Sequence, residues 1–228
     1  MLPFPQRDNL NLPSMQAANP TPAVESRQIV CRRMGCVEYE PAWRAMQAFT
    51  SARKSSTPDE IWLLEHPPVY TLGLAARAEH LPRGRDDIPV LRIDRGGQIT
   101  YHGPGQIVAY VLLDMKRRGL TVRPLVRLLE RAVIDLLDDY GIGAAGRVGA
   151  PGVYVGAAKI AALGLRITRG CCYHGLALNV DMDLSPFHAI DPCGYPGLSV
   201  TQLRDFGVTD DIADIGEGLL HHLLRVLG

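Results

Sequence analysis

Short apolar and β-branched runs, separated by Gly and Pro, dominate the central part of this 228-residue chain. Such runs are typical of strands, which we predict at residues 27–39, 61–65, 69–72, 89–93, 98–101, 106–113, 152–155, 159–168 and 173–180. Helices are predicted at 41–49, at 122–140, where Leu and Val recur at three- and four-residue steps, and at 210–227. Neighbouring strands with helices between and after them predict an α/β or α+β fold, a mixed β-sheet flanked by helices.

Charge balance and apolar content limit the classes of protein to which this chain can belong. Its 24 basic and 24 acidic side chains give a formal net charge of zero, so a global basic field for nucleic acid is absent. No stretch approaches the roughly 18 apolar residues that span a bilayer, and the N-terminus lacks a signal-peptide core. We therefore expect a soluble, cytoplasmic protein with neither nucleic acid nor a membrane as a partner. Five cysteines, an odd number, do not suggest a disulfide framework.

The first 23 residues differ from the rest of the chain. They are rich in Pro, Asn and Gln and show little periodicity, which predicts a flexible N-terminal extension. No long linker or internal repeat follows, so residues 24–228 are predicted to form a single domain.

The most unusual segment is glycine-rich and covers residues 95–106, with the sequence RGGQITYHGPGQ. Glycine lets a backbone approach a ligand closely or adopt a positive φ, and Arg95 can hold an anion. The alternative is two plain strands joined by a tight Gly-Pro-Gly turn. The segment matches neither the dinucleotide-binding glycine pattern nor the phosphate-binding Walker pattern.

One thiol and one amine stand out as candidates for chemistry. Cys193 lies in DPCGYPG (191–197), a loop-like setting that suits a nucleophile, although a turn cysteine without chemistry is as plausible. Lys159 has no other charged residue nearby in a ten-residue apolar segment. Such a lysine either extends to water, which base rates favour, or is buried as a functional amine. Cys171 and Cys172 are predicted to be core or edge residues.

Other polar residues give weaker signals. No His or Cys pairs occur at zinc-site spacing, so no metal site is predicted. His102 and His174 are the histidines expected near a pocket, and His221 and His222 are expected on a solvated helix face. The basic residues are expected to form a solvated surface or, alternatively, to contact an acidic protein partner: Lys116, Arg117, Arg118, Arg123, Arg127 and Arg131.

Several separate segments together resemble one family, the octanoyltransferases of lipoate biosynthesis, also called lipoate–protein ligase B. These are EHPPVYTLG (65–73), RGGQITYHGPGQ (95–106), GAAKIAALG (156–164), YHGLALNV (173–180) and DPCG (191–194). The similarity extends from about residue 34 to residue 203.

The resemblance implies a fold and an activity. The fold is that of the biotin protein ligase and lipoate ligase catalytic domains, here covering residues 24–228. The activity is transfer of an octanoyl group from octanoyl-acyl carrier protein to a lysine of lipoyl domains, in the E2 subunits of 2-oxoacid dehydrogenases and in the glycine cleavage H protein. No cofactor is implied. Two alternatives are an ATP-dependent lipoate ligase of the same fold and a non-catalytic protein that binds acyl carrier protein or lipoyl domains.

The resemblance also implies the site residues. Cys193 corresponds to the nucleophile that carries the acyl thioester, and Lys159 to the group that lowers the pKa of that thiol and acts as general acid and base. His174 is a further pocket candidate. The implied substrate-binding residues are Arg95, Gly96, Gly97, Gln98, Ile99, Thr100, Tyr101, His102, Ala162, Leu163, Gly164, Gly175, Leu176 and Ala177.

Overall fold

A computed structural model describes residues 28–77, 81–191 and 197–228. The extension predicted for residues 1–23 and the candidate nucleophile Cys193 both lie outside the described residues. Within the described ranges the helices are α1 (Tyr39–Ala52), α2 (Val122–Asp139) and α3 (Ile212–Leu227). The strands in the same ranges are β1 (Ile29–Cys36), β2 (Asp59–Glu65), β3 (Val69–Leu72), β4 (Val90–Arg92), β5 (Ile99–His102), β6 (Gln106–Asp114), β7 (Ala145–Gly146), β8 (Gly152–Val155), β9 (Ala158–Thr168) and β10 (Cys171–Asn179).

The larger sheet combines parallel and antiparallel pairing. In the described part of the chain it has seven strands in the order β1-β2-β6-β10-β9-β8-β7. The pair β1–β2 is parallel, and every other neighbouring pair in this sheet is antiparallel. The predicted mixed sheet flanked by helices is therefore confirmed.

Strand β6 shows how the sequence covers both faces of this sheet. Its alternate residues Ile107, Ala109, Val111 and Leu113 pack with α2 and α3, whereas Val108, Tyr110 and Leu112 pack with α1. A strand between two apolar layers must be apolar on both faces, which explains its nearly unbroken run of apolar side chains. The main core thus lies under α2 and α3, and α1 covers the opposite face.

A second, smaller sheet forms one wall of the site described below. It has the order β4-β3-β5 among the described strands, with β3–β4 parallel and β3–β5 antiparallel. Tyr70, Ile99 and Tyr101 pack there against Phe187 and Ile190, at the short 3-10 turn Ser185–Ala189. This packing fixes β5, which contributes four of the twelve residues of the glycine-rich segment.

The predicted elements occur with small shifts at their ends. The first strand ends at Cys36 because Tyr39 already begins α1, and the segment predicted from residue 98 pairs only from Ile99. Strand β7 was not predicted, since two residues, Ala145 and Gly146, carry no periodic signal. No helix among the described residues has both the length and the apolar character to cross a membrane.

The expectation of a solvated surface is wrong for Arg117 and Arg118. Their side chains are only 15% and 5% exposed because both bind Asp59, which is fully buried and also bound by Arg53. Strand β2 therefore begins at a buried carboxylate that three guanidinium groups neutralise, and neither arginine is available to a protein partner.

The expectation that His221 and His222 both lie on a solvated helix face is wrong for His222. His222 is 5% exposed and its Nε2 lies 2.6 Å from an Asp139 carboxylate oxygen, so it ties α3 to the end of α2. His221, one position earlier on α3, is exposed as predicted.

Candidate active site

An apolar pocket opens between the two sheets, on the face of the larger sheet that α1 covers. The glycine-rich segment forms one wall, strands β6, β9 and β10 form the other, and Tyr39 of α1 closes one side. The lining residues are Tyr39, Arg95, Gly97, Gln98, Ile99, Thr100, His102, Val108, Tyr110, Ala162, Leu163, Gly164, His174, Gly175, Leu176 and Ala177. We call this space the acyl pocket, after the ligand that the sequence resemblance implies.

Glycine allows the wall segment to lie directly against β9. The Gly96 N–H donates to the Leu165 carbonyl at 2.9 Å, and a Cβ at Gly164 would lie 3.0 Å from the Arg95 side chain. The Arg95 guanidinium is 8% exposed and donates to the Thr71 carbonyl at 2.7 Å, to the Thr71 hydroxyl and to the Gly96 carbonyl. These contacts hold the glycine-rich wall against β9 and β3.

A strained residue in β10 places two neighbouring side chains on the same face of the sheet. Successive strand residues normally point to opposite faces, but His174 has a φ of +63°. As a result the rings of Tyr173 and His174 stack at 5.1 Å, and both side chains reach the Asp94 carboxylate. Non-glycine residues in this conformation are uncommon and concentrate at functional sites.

Asp94 connects the pocket wall to α1. Its carboxylate accepts hydrogen bonds from Trp43 and Gln47 of α1, and from Tyr173 and His174 of β10. Burial alone would raise the pKa of Asp94, but the bonds from these four donors together lower it well below its usual range.

The imidazole of His174 is neutral although it contacts a carboxylate. Burial lowers the pKa of His174, and the Asp94 contact opposes this only in part. The contact is thus a hydrogen bond donated by Nε2–H at 3.1 Å. The other ring nitrogen, Nδ1, is buried without a hydrogen-bond partner among the described residues.

Tyr39 and Tyr110 line the pocket near α1, and the ring of His66 packs against both of theirs. The His66 Nδ1 lies 2.6 Å from the Val37 carbonyl, which can only accept, so the Nε2 of His66 accepts from the Tyr110 hydroxyl at 2.6 Å. Burial lowers the pKa of His66 to about 4, and it raises the pKa of Tyr39 to about 12. These groups are therefore uncharged at neutral pH, which suits contact with an alkyl chain.

Lys159 is buried beside the acyl pocket. It is 3% exposed, so the interpretation of a lysine extending to water is wrong. Its Nζ donates to the Pro151 carbonyl at 3.3 Å and lies 5.2 Å from the centre of the Tyr154 ring. Lys159 lines a small cavity that shares Thr100 and Ala162 with the acyl pocket.

The backbone of Lys159 bonds to the segment that follows residue 196. Its N–H donates to the Ser199 carbonyl at 2.9 Å, and the Thr201 N–H donates to its carbonyl at 3.0 Å. A chain of side-chain bonds leads from Thr201 back to the pocket, through Asn179 and Gln106 to the Nδ1 of His102. The site is therefore one connected network that joins the glycine-rich wall to the lysine.

The structure gathers most of the predicted substrate-binding residues around this pocket, but not all of them. Gly96 lines a neighbouring groove, and Tyr101 faces away, 5.5 Å from the rings of Tyr70 and Phe187. Lys159 borders the adjoining cavity, and Cys193 lies outside the described residues.

Sequence reasoning did not single out Tyr39, His66, Asp94 or Tyr110. The sequence carried a signal for two of them, Asp94 and Tyr110. Asp94 follows an apolar strand directly and precedes the glycine-rich segment, and Tyr110 carries the one hydroxyl within β6. No group of three or more His, Cys, Asp or Glu side chains placed to hold a metal ion occurs among the described residues.

Comparison with known proteins gives consistent results from sequence and fold. The family described as "Lipoyl protein ligase A/B catalytic domain" matches residues 38–224. A protein named octanoyltransferase from Aromatoleum aromaticum is 64% identical over 199 residues, covering 87% of this chain and 86% of that protein. Another octanoyltransferase, from an Azoarcus species, is 64% identical over 205 residues and 90% of each chain.

Solved structures with low sequence identity share the fold. Lipoate-protein ligase A bound with ATP superposes with a TM-score of 0.70 at 17% identity, covering 88% of this chain and 85% of that one. The biotin protein ligase of Aquifex aeolicus, in complex with biotin and ATP, superposes with a TM-score of 0.54 at 13% identity, covering 88% and 70%.

Proposed function

Since this chain belongs to the octanoyltransferases of the lipoyl protein ligase A/B family, we propose that it takes octanoyl from octanoyl-acyl carrier protein and transfers it to a lysine of lipoyl domains. The intermediate in this proposal is a thioester on Cys193. The observation that carries it is the buried amine of Lys159 beside an apolar pocket, with its backbone bonded to Ser199 and Thr201, six and eight residues after Cys193 in sequence.

In the first half-reaction the Cys193 thiolate attacks the carbonyl carbon of the donor thioester. The bond from that carbon to the carrier sulfur breaks, and the leaving thiolate takes a proton from the Lys159 ammonium. The products are acyl-Cys193, a free carrier thiol and a neutral lysine.

In the second half-reaction the amine of the lipoyl domain attacks acyl-Cys193. The carbon–sulfur bond to Cys193 breaks, the amine gives a proton to Lys159, and the thiolate–ammonium pair is restored. Thioester exchange is nearly neutral in free energy and amide formation is downhill, so the reaction needs no ATP and no cofactor.

Lys159 is suited to support the thiolate electrostatically. An ammonium about 4 Å from a thiolate stabilises it by about 4 kcal/mol at an effective dielectric of about 20, equivalent to about 3 units in the pKa of the thiol. Desolvation of both charges reduces this gain. The amine of Lys159 donates to the Pro151 carbonyl and lies against the Tyr154 ring, contacts that an ammonium group can make.

The acyl pocket is suited to an alkyl chain. Ile99, Val108, Leu163, Leu176 and Ala177 give it an apolar lining, and burial keeps its histidines neutral. The E2 lipoyl domains and the glycine cleavage H protein are the acceptors in this proposal, and the cytoplasm is its location.

The test is mass spectrometry of the enzyme after incubation with octanoyl-acyl carrier protein. We expect one octanoyl adduct on Cys193, which Cys193→Ser removes and Cys36→Ser, a change at an exposed cysteine, leaves intact. Lys159→Met should slow acylation at least about 100-fold, since about 3 kcal/mol of thiolate stabilisation corresponds to that factor.

Other results would contradict the proposal. An adduct on a different residue would reject Cys193 as the nucleophile. Transfer that depends on ATP and free octanoate would identify a ligase, and an unmodified chain after exposure to the donor would identify a binding protein. Wild-type acylation by Lys159→Met would remove the lysine from the chemistry.

A further inference from the structure

A surface groove lies between α2 and the chain around β7 and β8. We call it the basic groove, and its walls carry Arg123 and Arg127 of α2 and Arg147 of the loop after β7. Residues at positions i and i+4 of a helix share a face, so Arg123 and Arg127 lie side by side, next to the parallel pair Val122 and Val126. The groove encloses about 830 Å³.

The basic groove continues inward to the acyl pocket. Val122, Val126, Gly149 and Pro151 also line a second groove of about 340 Å³, which has little charge. That inner groove shares Gly97, Gln98, Leu163 and Gly164 with the acyl pocket. Shared lining residues thus order the three spaces in a series, which we call the path, from the basic groove at the surface to the acyl pocket.

The charge of this path is concentrated at its outer end. Arg123 and Arg127 are exposed, and neither forms an ion pair within residues 28–77, 81–191 and 197–228. Arg147 is held over the Tyr154 ring at 4.0 Å and donates to the Gly156 carbonyl at 2.8 Å. The acidic residue of the groove, Glu130, accepts a hydrogen bond from the Gly152 N–H at 2.9 Å.

We infer that the basic groove binds the phosphodiester of the donor's 4′-phosphopantetheine arm, while the inner groove holds the pantetheine portion. This inference rests on the proposed function, because it places the donor of that reaction. The arm is long and thin, has its anion at the outer end and its thioester at the inner end, and so matches the order of charge along the path. The acceptor is a shorter lysine side chain whose cationic end would be repelled by arginine.

The experiment measures single-turnover acylation of Cys193 with three donors: octanoyl-acyl carrier protein, octanoyl-coenzyme A and octanoyl-pantetheine. The first two carry a phosphate at the same position on the arm, and the third carries none. For the variant R123E/R127E we expect about a tenfold loss in acylation rate with both phosphate-bearing donors at low donor concentration. We expect less than about a twofold change with octanoyl-pantetheine.

Two further variants control for charge and folding. R123K/R127K keeps the positive charge and should recover most of the rate with the phosphate-bearing donors. Arg44→Glu changes an exposed arginine of α1 that lines none of the three spaces, and it should leave all three rates unchanged. The difference between R123E/R127E and wild type should shrink at high salt, because exposed charges are screened.

Several outcomes would overturn the inference. Equal loss with all three donors would show a general defect in the site, and loss with the carrier protein alone would place the arginines against the carrier's surface. A normal acylation rate with slower deacylation by a lipoyl domain would assign the groove to the acceptor. Failure of wild type to acylate with any donor would instead reject the proposed function.

Discussion

The buried His66 makes the stability of this fold sensitive to mild acid. Its Nδ1 donates to the Val37 carbonyl and its Nε2 accepts from Tyr110, so a second proton would remove the acceptor that the tyrosine hydroxyl needs. Burial lowers the pKa of His66 to about 4 in the folded chain, against about 6.5 in an unfolded one. Between these values the unfolded chain binds more protons, so the free energy of unfolding falls as the pH falls below about 6.5.

The size of the effect follows from the two pKa values. The whole shift corresponds to about 3 kcal/mol, of which about 2 kcal/mol is lost between pH 7 and pH 5. His102 and His174 are buried with lowered pKa values as well, and they act in the same direction. The loss for the whole protein over this range should therefore exceed about 2 kcal/mol.

The assay is urea unfolding under reducing conditions at pH 7 and pH 5, for wild type, His66→Gln and His221→Gln. His66→Gln should be less stable at pH 7, but its loss on going to pH 5 should be about 2 kcal/mol smaller than that of wild type. His221→Gln changes an exposed residue and should follow wild type. The reasoning is refuted by an equal pH dependence in all three proteins, or by an NMR titration of folded His66 with a midpoint near 6.5.

Two further predictions concern residues that hold the site and the sheet. Gly152→Ala should lower both the melting temperature and the acylation rate, because Gly152 has a φ of +145° and its Cβ would lie 2.9 Å from the Ala161 carbonyl oxygen and 2.9 Å from the Lys159 side chain. Single-turnover rates and melting temperatures measured together check this, and a normal rate would show that the lysine adjusts freely. Asp59→Asn should lower the free energy of unfolding by about 3–5 kcal/mol, because it leaves three clustered guanidinium groups without their carboxylate. Glu40→Gln, which breaks an exposed ion pair with Arg44, should cost less than about 1 kcal/mol in the same urea experiment.

Local patterns predicted much of the fold. Helix α2 was found at nearly its observed limits because Leu125, Leu129, Val133 and Leu136 repeat with the period of a helix buried on one side. The strands were found because apolar runs end at Gly and Pro. The division into two sheets could not be read in this way, because a short strand such as β4 has the same composition in either sheet.

The candidate site was predicted only in part, because burial depends on contacts between distant segments. Lys159 was singled out by its apolar neighbours in sequence, but its burial depends on Pro151, Tyr154 and the Ser199 segment. Arg117 and Arg118 looked like surface residues, since nothing nearby in sequence reveals the buried Asp59. The role of Cys193 stays a prediction.

The face of the sheet on which a side chain lies could also not be predicted from local sequence at one position. Regular alternation along a strand would place Tyr173 and His174 on opposite faces of β10, but the positive φ of His174 brings both side chains to Asp94. Nothing in the sequence around His174 predicts this backbone conformation. The four hydrogen bonds that converge on Asp94 were therefore found only from the structure.

The two backbone hydrogen bonds between Lys159 and its neighbours make this site accessible to hydrogen-exchange measurements. An amide proton in such a bond exchanges with solvent only when the bond opens. The amides of Lys159 and Thr201 both take part, so they report the same local opening. A molecule that stabilises the hydrogen bonds between Lys159 and the segment 199–201 would slow deuterium uptake at both amides. A molecule that only fills the acyl pocket would leave uptake at these two amides unchanged.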